Sequence, residues 1–153
     1  MQQDQAVRNF LALGASYLDE DQLEKWVELF EEDALYRVTT KESLQKNYPA
    51  SIIYCDGRAM LEDRIAALRT ANIYEPHSYC HVLSLPLPRQ TEAGEVIETR
   101  FIVTRIFEDG RSDLFATGKY IDLLTETPDG YRIKSRTVVL DSRAIDVLLV
   151  IPL

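Results

Sequence analysis

The chain has 153 residues, 46% of them hydrophobic, with 17 basic against 25 acidic side chains and a formal net charge of −8. A chain of this length buries roughly 70% of the surface its unfolded form exposes, so one domain over residues 1–153 is expected, without staples or a structural metal. The acidic balance argues against nucleic acid as a partner, because phosphate-backbone binding needs a basic face that releases counterions, and two cysteines, Cys55 and Cys80, are too few for a disulfide framework and fit a reducing compartment.

The first ten residues, MQQDQAVRNF, carry neither a cluster of positive charge nor an apolar run of signal-peptide length, and no stretch approaches the roughly 20 apolar residues that span a bilayer. The expectation is a cytoplasmic protein with no membrane role. From Gln5 to Leu18, Ala6, Val7, Phe10, Leu11, Leu13, Tyr17 and Leu18 recur at three and four spacing, which predicts a helix. Asp19 or Asp21 can cap a second helix, whose apolar face is Leu23, Trp26, Val27 and Phe30. An acidic run, Glu31, Glu32 and Asp33, separates it from a strand over Ala34 to Thr39. Thr40 to Pro49 shows no period and reads as a loop before Ile52, Ile53 and Tyr54 return to strand character. Asp56-Gly57 then turns into a third helix with Met60, Leu61, Ile65, Leu68 and Ile73 as its buried stripe, ended by Pro76.

Beyond His77 four strand runs follow: Tyr79 to Leu87, Val96 to Phe107, Asp113 to Leu124 and Tyr131 to Leu140. Turn signals at Glu92-Ala93-Gly94, Glu108-Asp109-Gly110-Arg111 and Pro128-Asp129-Gly130 join them, so neighbouring strands run antiparallel. The fold class is α+β, a curved, mainly antiparallel sheet with three amino-terminal helices covering its concave side. The closing run from Asp141 to Leu153 is apolar enough to require cover from its own sheet or from a neighbouring subunit.

Chemistry-bearing residues are few. His77-Ser78-Tyr79-Cys80-His81 offers two imidazoles and a thiol, but strand alternation puts Cys80 on the face opposite the histidines, and there is no second ligand cluster to complete a zinc or iron shell. A helix-covered curved sheet leaves a conical pocket, where an Asp or His could act as a general base; Asp56, His77, His81 and Asp122 are the candidates, although for any single one a surface charge or a turn cap is the simpler account, because acidic side chains are seldom buried without a partner. There is no Gly-x-Ser-x-Gly elbow and no Gly-rich phosphate loop. The aromatic set Trp26, Tyr36, Tyr54, Tyr74, Tyr79, Phe101, Phe107, Phe115 and Tyr120 reads as core packing.

Several strings also recur in a known order. Trp26-x-x-x-Phe30, Asp33 and Tyr36-Arg37-Val38-Thr39 lead into Met60-Leu61-x-Asp63-Arg64-Ile65-x-Ala67-Leu68-Arg69 and Ala71-Asn72-Ile73-Tyr74-Glu75. His77-x-Tyr79-x-His81-x-Leu83, Thr117-Gly118 with Tyr120 and Asp122, and Asp141-Ser142 with Pro152-Leu153 complete the set. In this the sequence resembles, almost end to end, the small (beta) subunit of aromatic-ring-hydroxylating dioxygenases, Rieske non-haem iron oxygenases. Their fold is the cone-shaped class shared with nuclear transport factor 2 and scytalone dehydratase. The Ala71 to Glu75 string looks most like subunits serving aromatic carboxylates such as terephthalate, anthranilate, salicylate or halobenzoate.

The resemblance implies a subunit of an oxidoreductase in aromatic-compound catabolism that has no catalytic, cofactor-binding or metal-binding residues of its own. It implies a Rieske 2Fe-2S cluster and a mononuclear Fe(II) on a large (alpha) partner subunit, a beta trimer within an alpha3beta3 hexamer, and electrons from an NADH-dependent reductase. The residue count agrees, since two Cys and two His in total cannot supply both metal centres. The alternatives are a free-standing cone-fold dehydratase or isomerase using an Asp-His pair, and a small-molecule binding module.

Overall fold

A computed structural model of the chain describes residues 2–49, 51–71, 76–142 and 152–153. Helix α1 (Gln2–Asp19) is followed by the short α2 (Leu23–Val27) and by strand β1 (Phe30–Thr40). Neither aspartate caps α2: its N-cap is Gln22, without a side-chain bond. Asp19 closes α1 and accepts from His81, while Asp21, with φ at 59°, accepts from Arg69. Strand β1 begins four residues earlier than expected because the acidic run is accommodated as an irregularity: Phe30 pairs with Ile133 and Leu35 with Ser135, and Glu32 and Asp33 project into solvent between buried Phe30 and Ala34.

The segment expected to loop contains a fourth helix, α3 (Lys41–Gln45). Its N-cap is Thr40, whose hydroxyl oxygen accepts from the Ser43 N–H at 3.1 Å, and Lys46 pairs with Glu42 one turn away. It buries no residue of its own, which is why hydrophobic periodicity was blind to it. Strand β2 (Ile53–Asp56) and helix α4 (Arg58–Thr70) follow. On α4, Leu61, Ile65 and Leu68 are buried, whereas Met60 is 45% exposed and its sulfur accepts from the Asp56 N–H; Ile73 lies outside the described residues.

The later half holds five strands, not four: β3 (His77–Leu83), β4 (Leu87–Thr91), β5 (Gly94–Phe107), β6 (Ser112–Thr127) and β7 (Gly130–Leu140). The first expected run is split because Pro86 has no N–H to continue a ladder, so β3 and β4 lie in line along one edge of β5. Ser84 bridges the break, giving its N–H to the Arg100 carbonyl and taking the Arg100 N–H on its hydroxyl. Gly94 and Gly130 turn the β4–β5 and β6–β7 hairpins with φ of 108° and 113°.

The sheet is open and curved, in the order β2-β1-β7-β6-β5-β3, with β4 beside β5. Every pairing is antiparallel except β1 with β7, which is parallel. On the inner face α1 crosses β3, α4 crosses β1 and β2, and α2 packs against α1 and α4. The core at that face is aromatic. Trp26 meets Phe30 and Tyr36 edge-on at 4.9 and 5.5 Å, and Phe101 stacks on Tyr120 at 4.7 Å. Tyr54, grouped with these from sequence, is 54% exposed because it sits on the outer parity of β2; Tyr74 lies outside the described residues. Of the closing run, residues 143–151 lie outside the described residues, and Pro152 and Leu153 are buried within the chain's own core.

Candidate functional site

Strand alternation carries Tyr36, Tyr120, Asp122 and Arg136 to the inner face, and register aligns them: Tyr36 is opposite Arg136, and Arg136 opposite Asp122. The Asp122 carboxylate takes two parallel hydrogen bonds from Arg136, at 2.7 Å from Nε and 3.0 Å from Nη2. Burial opposes the charge of Arg136, but the facing carboxylate outweighs it and holds the guanidinium more firmly protonated than usual. The same guanidinium lies 4.1 Å over the ring of Tyr120. Burial pushes the hydroxyls of Tyr36 and Tyr120 well above the ordinary phenol range, so at neutral pH each is a hydrogen-bond donor, never a phenolate base. Tyr36 donates to the main-chain oxygen of Leu153 at 3.0 Å and accepts its N–H at 3.2 Å. The Tyr120 hydroxyl and the Trp26 indole N–H are buried without a partner among the described residues.

The four acid–base candidates do not converge. Asp122 is fully buried, but both its oxygens engage Arg136. His81 is brought to a carboxylate, though not to a sequence candidate: its Nδ1 lies 2.5 Å from Asp19, which also accepts the His81 backbone N–H at 3.0 Å. The pair contributes to the lining of a surface groove between α1 and β3, with Ala12, Ser16, Glu20 and Leu83, and the Asp19 side chain is 24% exposed. The His81 side chain has no exposed surface, and its Nε2 is buried without a partner among the described residues. His77 packs among the rings of Tyr79 and Phe107, and Asp56 is exposed on β2, outside the cone. The geometry is that of a bonded interior without an open acid–base dyad.

The described residues do not fit iron. A Rieske cluster needs two thiolates and two imidazoles converging on one point. Cys55 lies on the inner side of β2 and Cys80 on the outer side of β3, at opposite edges of the sheet, and burial raises the Cys55 thiol pKa. Among the described residues no three His, Cys, Asp or Glu side chains gather as a metal would require.

The parts of this interior that sequence reasoning missed are Asp19 and Arg136. In the sequence Asp19 is, with Asp21, one of two possible helix caps. Arg136 shares the parity of buried Val138, and a charge in the buried parity of a strand, twice over with Asp122 beside Tyr120, was the available signal.

The outer face is different in kind. Val82, Ile102 and Leu114, on neighbouring strands, are 60%, 47% and 66% exposed, with Cys80 and Thr104 between them. Arg100, Asp141 and Thr117 border this patch in a polar cluster, the Thr117 hydroxyl donating to Asp141 at 3.0 Å. No helix among the described residues is long and apolar enough to cross a membrane.

A family model described as ring hydroxylating beta subunit matches residues 14–147. The anthranilate 1,2-dioxygenase small subunit of Burkholderia cepacia is 38% identical over 138 residues, covering 90% of this chain and 86% of that protein. The terephthalate 1,2-dioxygenase terminal oxygenase component subunit beta 1 of Comamonas sp is 39% identical over 145 residues, covering 94% of each. Among solved structures, a protein of Novosphingobium aromaticivorans assigned as the beta subunit of an aromatic-ring-hydroxylating dioxygenase superposes with a TM-score of 0.87. Its identity is 34%, and the match covers 98% of this chain and 96% of that one.

Proposed function

The chain belongs to the ring hydroxylating beta subunit family, and from that premise we propose that it is the structural, non-catalytic subunit of an oxygenase that hydroxylates an aromatic carboxylate. The observation that carries this reading is near full-length identity of 38% and 39% to small subunits whose enzymes are named for anthranilate and terephthalate, both aromatic carboxylates. The interior supports the non-catalytic part. Where a free-standing cone-fold dehydratase or isomerase would present an open acid–base pair, Asp122 is bound to Arg136 and the Nε2 of His81 is buried.

In this reading the chain is one domain over residues 1–153 whose catalytic, cofactor and metal residue lists are empty. The Rieske cluster and the mononuclear iron belong to a large alpha subunit, and the assembly is an alpha3beta3 hexamer supplied with electrons by an NADH-dependent reductase in the cytoplasm. The apolar patch of Val82, Ile102 and Leu114 suits burial against another subunit, since association there removes apolar area from water.

The test is co-expression with a large (alpha) oxygenase subunit, followed by affinity purification on the small subunit and iron analysis. The expected result is an iron-free, colourless chain when expressed alone and a brown, iron-containing complex when co-expressed. Stoichiometric iron in the isolated chain, or turnover of an aromatic acid by it alone, overturns the reading.

A further inference from the structure

The most unusual contact in the molecule joins positions 117 residues apart: the hydroxyl of Tyr36 both donates to the oxygen of Leu153 and accepts from its N–H. Leu153 has no exposed surface, and Pro152 beside it is buried too. Around this contact stands an unusually polar wall for a protein core. Tyr36 is aligned with Arg136, Arg136 is bound to Asp122, and its guanidinium lies over the ring of Tyr120. Two members of the wall, the Tyr120 hydroxyl and the indole N–H of Trp26, which meets Tyr36 edge-on, are buried without a partner among the described residues.

A core that needed only packing would be more stable without these groups, because a buried ion pair is at best neutral against apolar residues of the same volume and a buried unbonded hydroxyl or indole N–H is unfavourable. A wall of this composition is instead what holds a small guest, with an apolar surface and a few polar groups that fix its orientation. Leu153 has the form of such a guest: a branched aliphatic group whose own N–H and oxygen engage one hydroxyl.

We infer that Pro152 and Leu153 plug a small-molecule site inside the cone from within the same chain. With the plug withdrawn, the site takes a compact, branched apolar molecule carrying one group that both donates and accepts a hydrogen bond, such as a primary amide or a protonated acid. Tyr36 is the group that reads this function, with Arg136, held by Asp122, aligned beside it. The inference concerns the chain's own interior and holds whichever large subunit it joins.

The test uses the full chain and its only tryptophan, Trp26, as the reporter. Leu153→Gly removes the side chain of the plug and leaves a cavity on the order of 100 Å³, of the kind that stays dry and admits a small apolar guest. The probe is 4-methylpentanamide, which reproduces the leucine side chain and an amide. It is expected to change Trp26 emission saturably and raise the thermal midpoint of Leu153→Gly, with an affinity at least about ten-fold above that for the unaltered chain, the stabilisation following mass action. Adding Tyr36→Phe to Leu153→Gly is expected to remove the preference for the amide over the hydrocarbon 2-methylpentane. A folded Leu153→Gly protein with no response overturns the inference, and so does equal binding by the unaltered chain, which would put the site elsewhere. Leu153→Ala serves as the milder variant under the same expectations. Failure of both variants to fold also overturns it, because a plug is dispensable to the walls that surround it.

Discussion

Asp122 and Arg136 face each other across β6 and β7 through two bonds of 2.7 and 3.0 Å, with no exposed surface on the carboxylate side chain and 5% on the guanidinium. Removing one partner strands the other charge in the core, which costs about 3–5 kcal/mol, whereas replacing both with apolar groups of like volume is near neutral or favourable. Asp122→Ala should therefore lose about 3–5 kcal/mol in urea unfolding, while Asp122→Leu combined with Arg136→Met should regain most of it. A cost for Asp122→Ala below about 1 kcal/mol would show that the charge is solvated in solution.

Gly118 lies at an inner position of β6, between Phe101 and Leu140. A Cβ built there stands 2.3 Å from the backbone oxygen of Val139 and 3.0 Å from the ring of Phe101. Backbone of a central strand cannot step aside as a side-chain tip can, so Gly118→Ala is expected to cost about 3 kcal/mol or more, at the upper end of overpacking effects. Thermal unfolding of the purified variant checks this, and a midpoint within a degree or so of the parent contradicts it.

Glu98 is a pH-dependent contributor. Burial pushes its carboxyl up, but the hydrogen bond from Arg89 at 2.8 Å and the charge of Lys119 at 3.4 Å outweigh burial and hold it below its ordinary value of 4.5. A depressed carboxylate adds stability that is present above the ordinary value and disappears as pH falls through the lower, folded one. The stability difference between the parent and Glu98→Gln should therefore be constant from pH 7 to pH 5 and shrink below pH 4.5. Its size at neutral pH is expected to be about 1 kcal/mol or less, falling further in high salt. A difference that grows on acidification contradicts the assignment.

The two thiols should react very differently. Cys80 is exposed on the outer face of β3, while Cys55 is buried and its thiol pKa is raised by that burial, so little thiolate is available. Native protein is expected to take up one equivalent of a thiol reagent quickly, located at Cys80 by peptide mapping, and a second only on unfolding. In the complex with the large subunit, protection of Cys80 would locate the contact on the face that carries Val82, Ile102 and Leu114; undiminished labelling would move it elsewhere.

Most of the fold was legible because hydrophobic period is a strong signal: α1, α4 and the three long strands carry clean three-to-four or two-residue alternation. The elements that were not legible lack that signal. Helix α3 buries nothing and exists through the Thr40 cap and a Lys46–Glu42 pair, and the division of β3 from β4 follows from a missing proline N–H within an otherwise continuous run. The interior was only half legible. Asp122 is among the four acid–base candidates of the sequence, but its partner could not be named without the register that sets Arg136 opposite, because alternation fixes a face and not a neighbour. Asp19 was harder still, since a carboxylate at a helix end reads as a cap whatever strand passes over it.

The parallel pairing of β1 with β7 has a consequence for how the protein is made. Strand β1 ends at Thr40 and its partner β7 starts at Gly130, so the centre of the sheet closes only after the long intervening stretch and β7 itself have been synthesised. Such high contact order slows folding, and until β7 emerges from the ribosome the inner edge of β1 and the aromatic cluster of Trp26, Phe30 and Tyr36 stand without their cover. A nascent chain in that state is prone to aggregate, which makes yield sensitive to translation speed and to chaperones, and favours expression at low temperature.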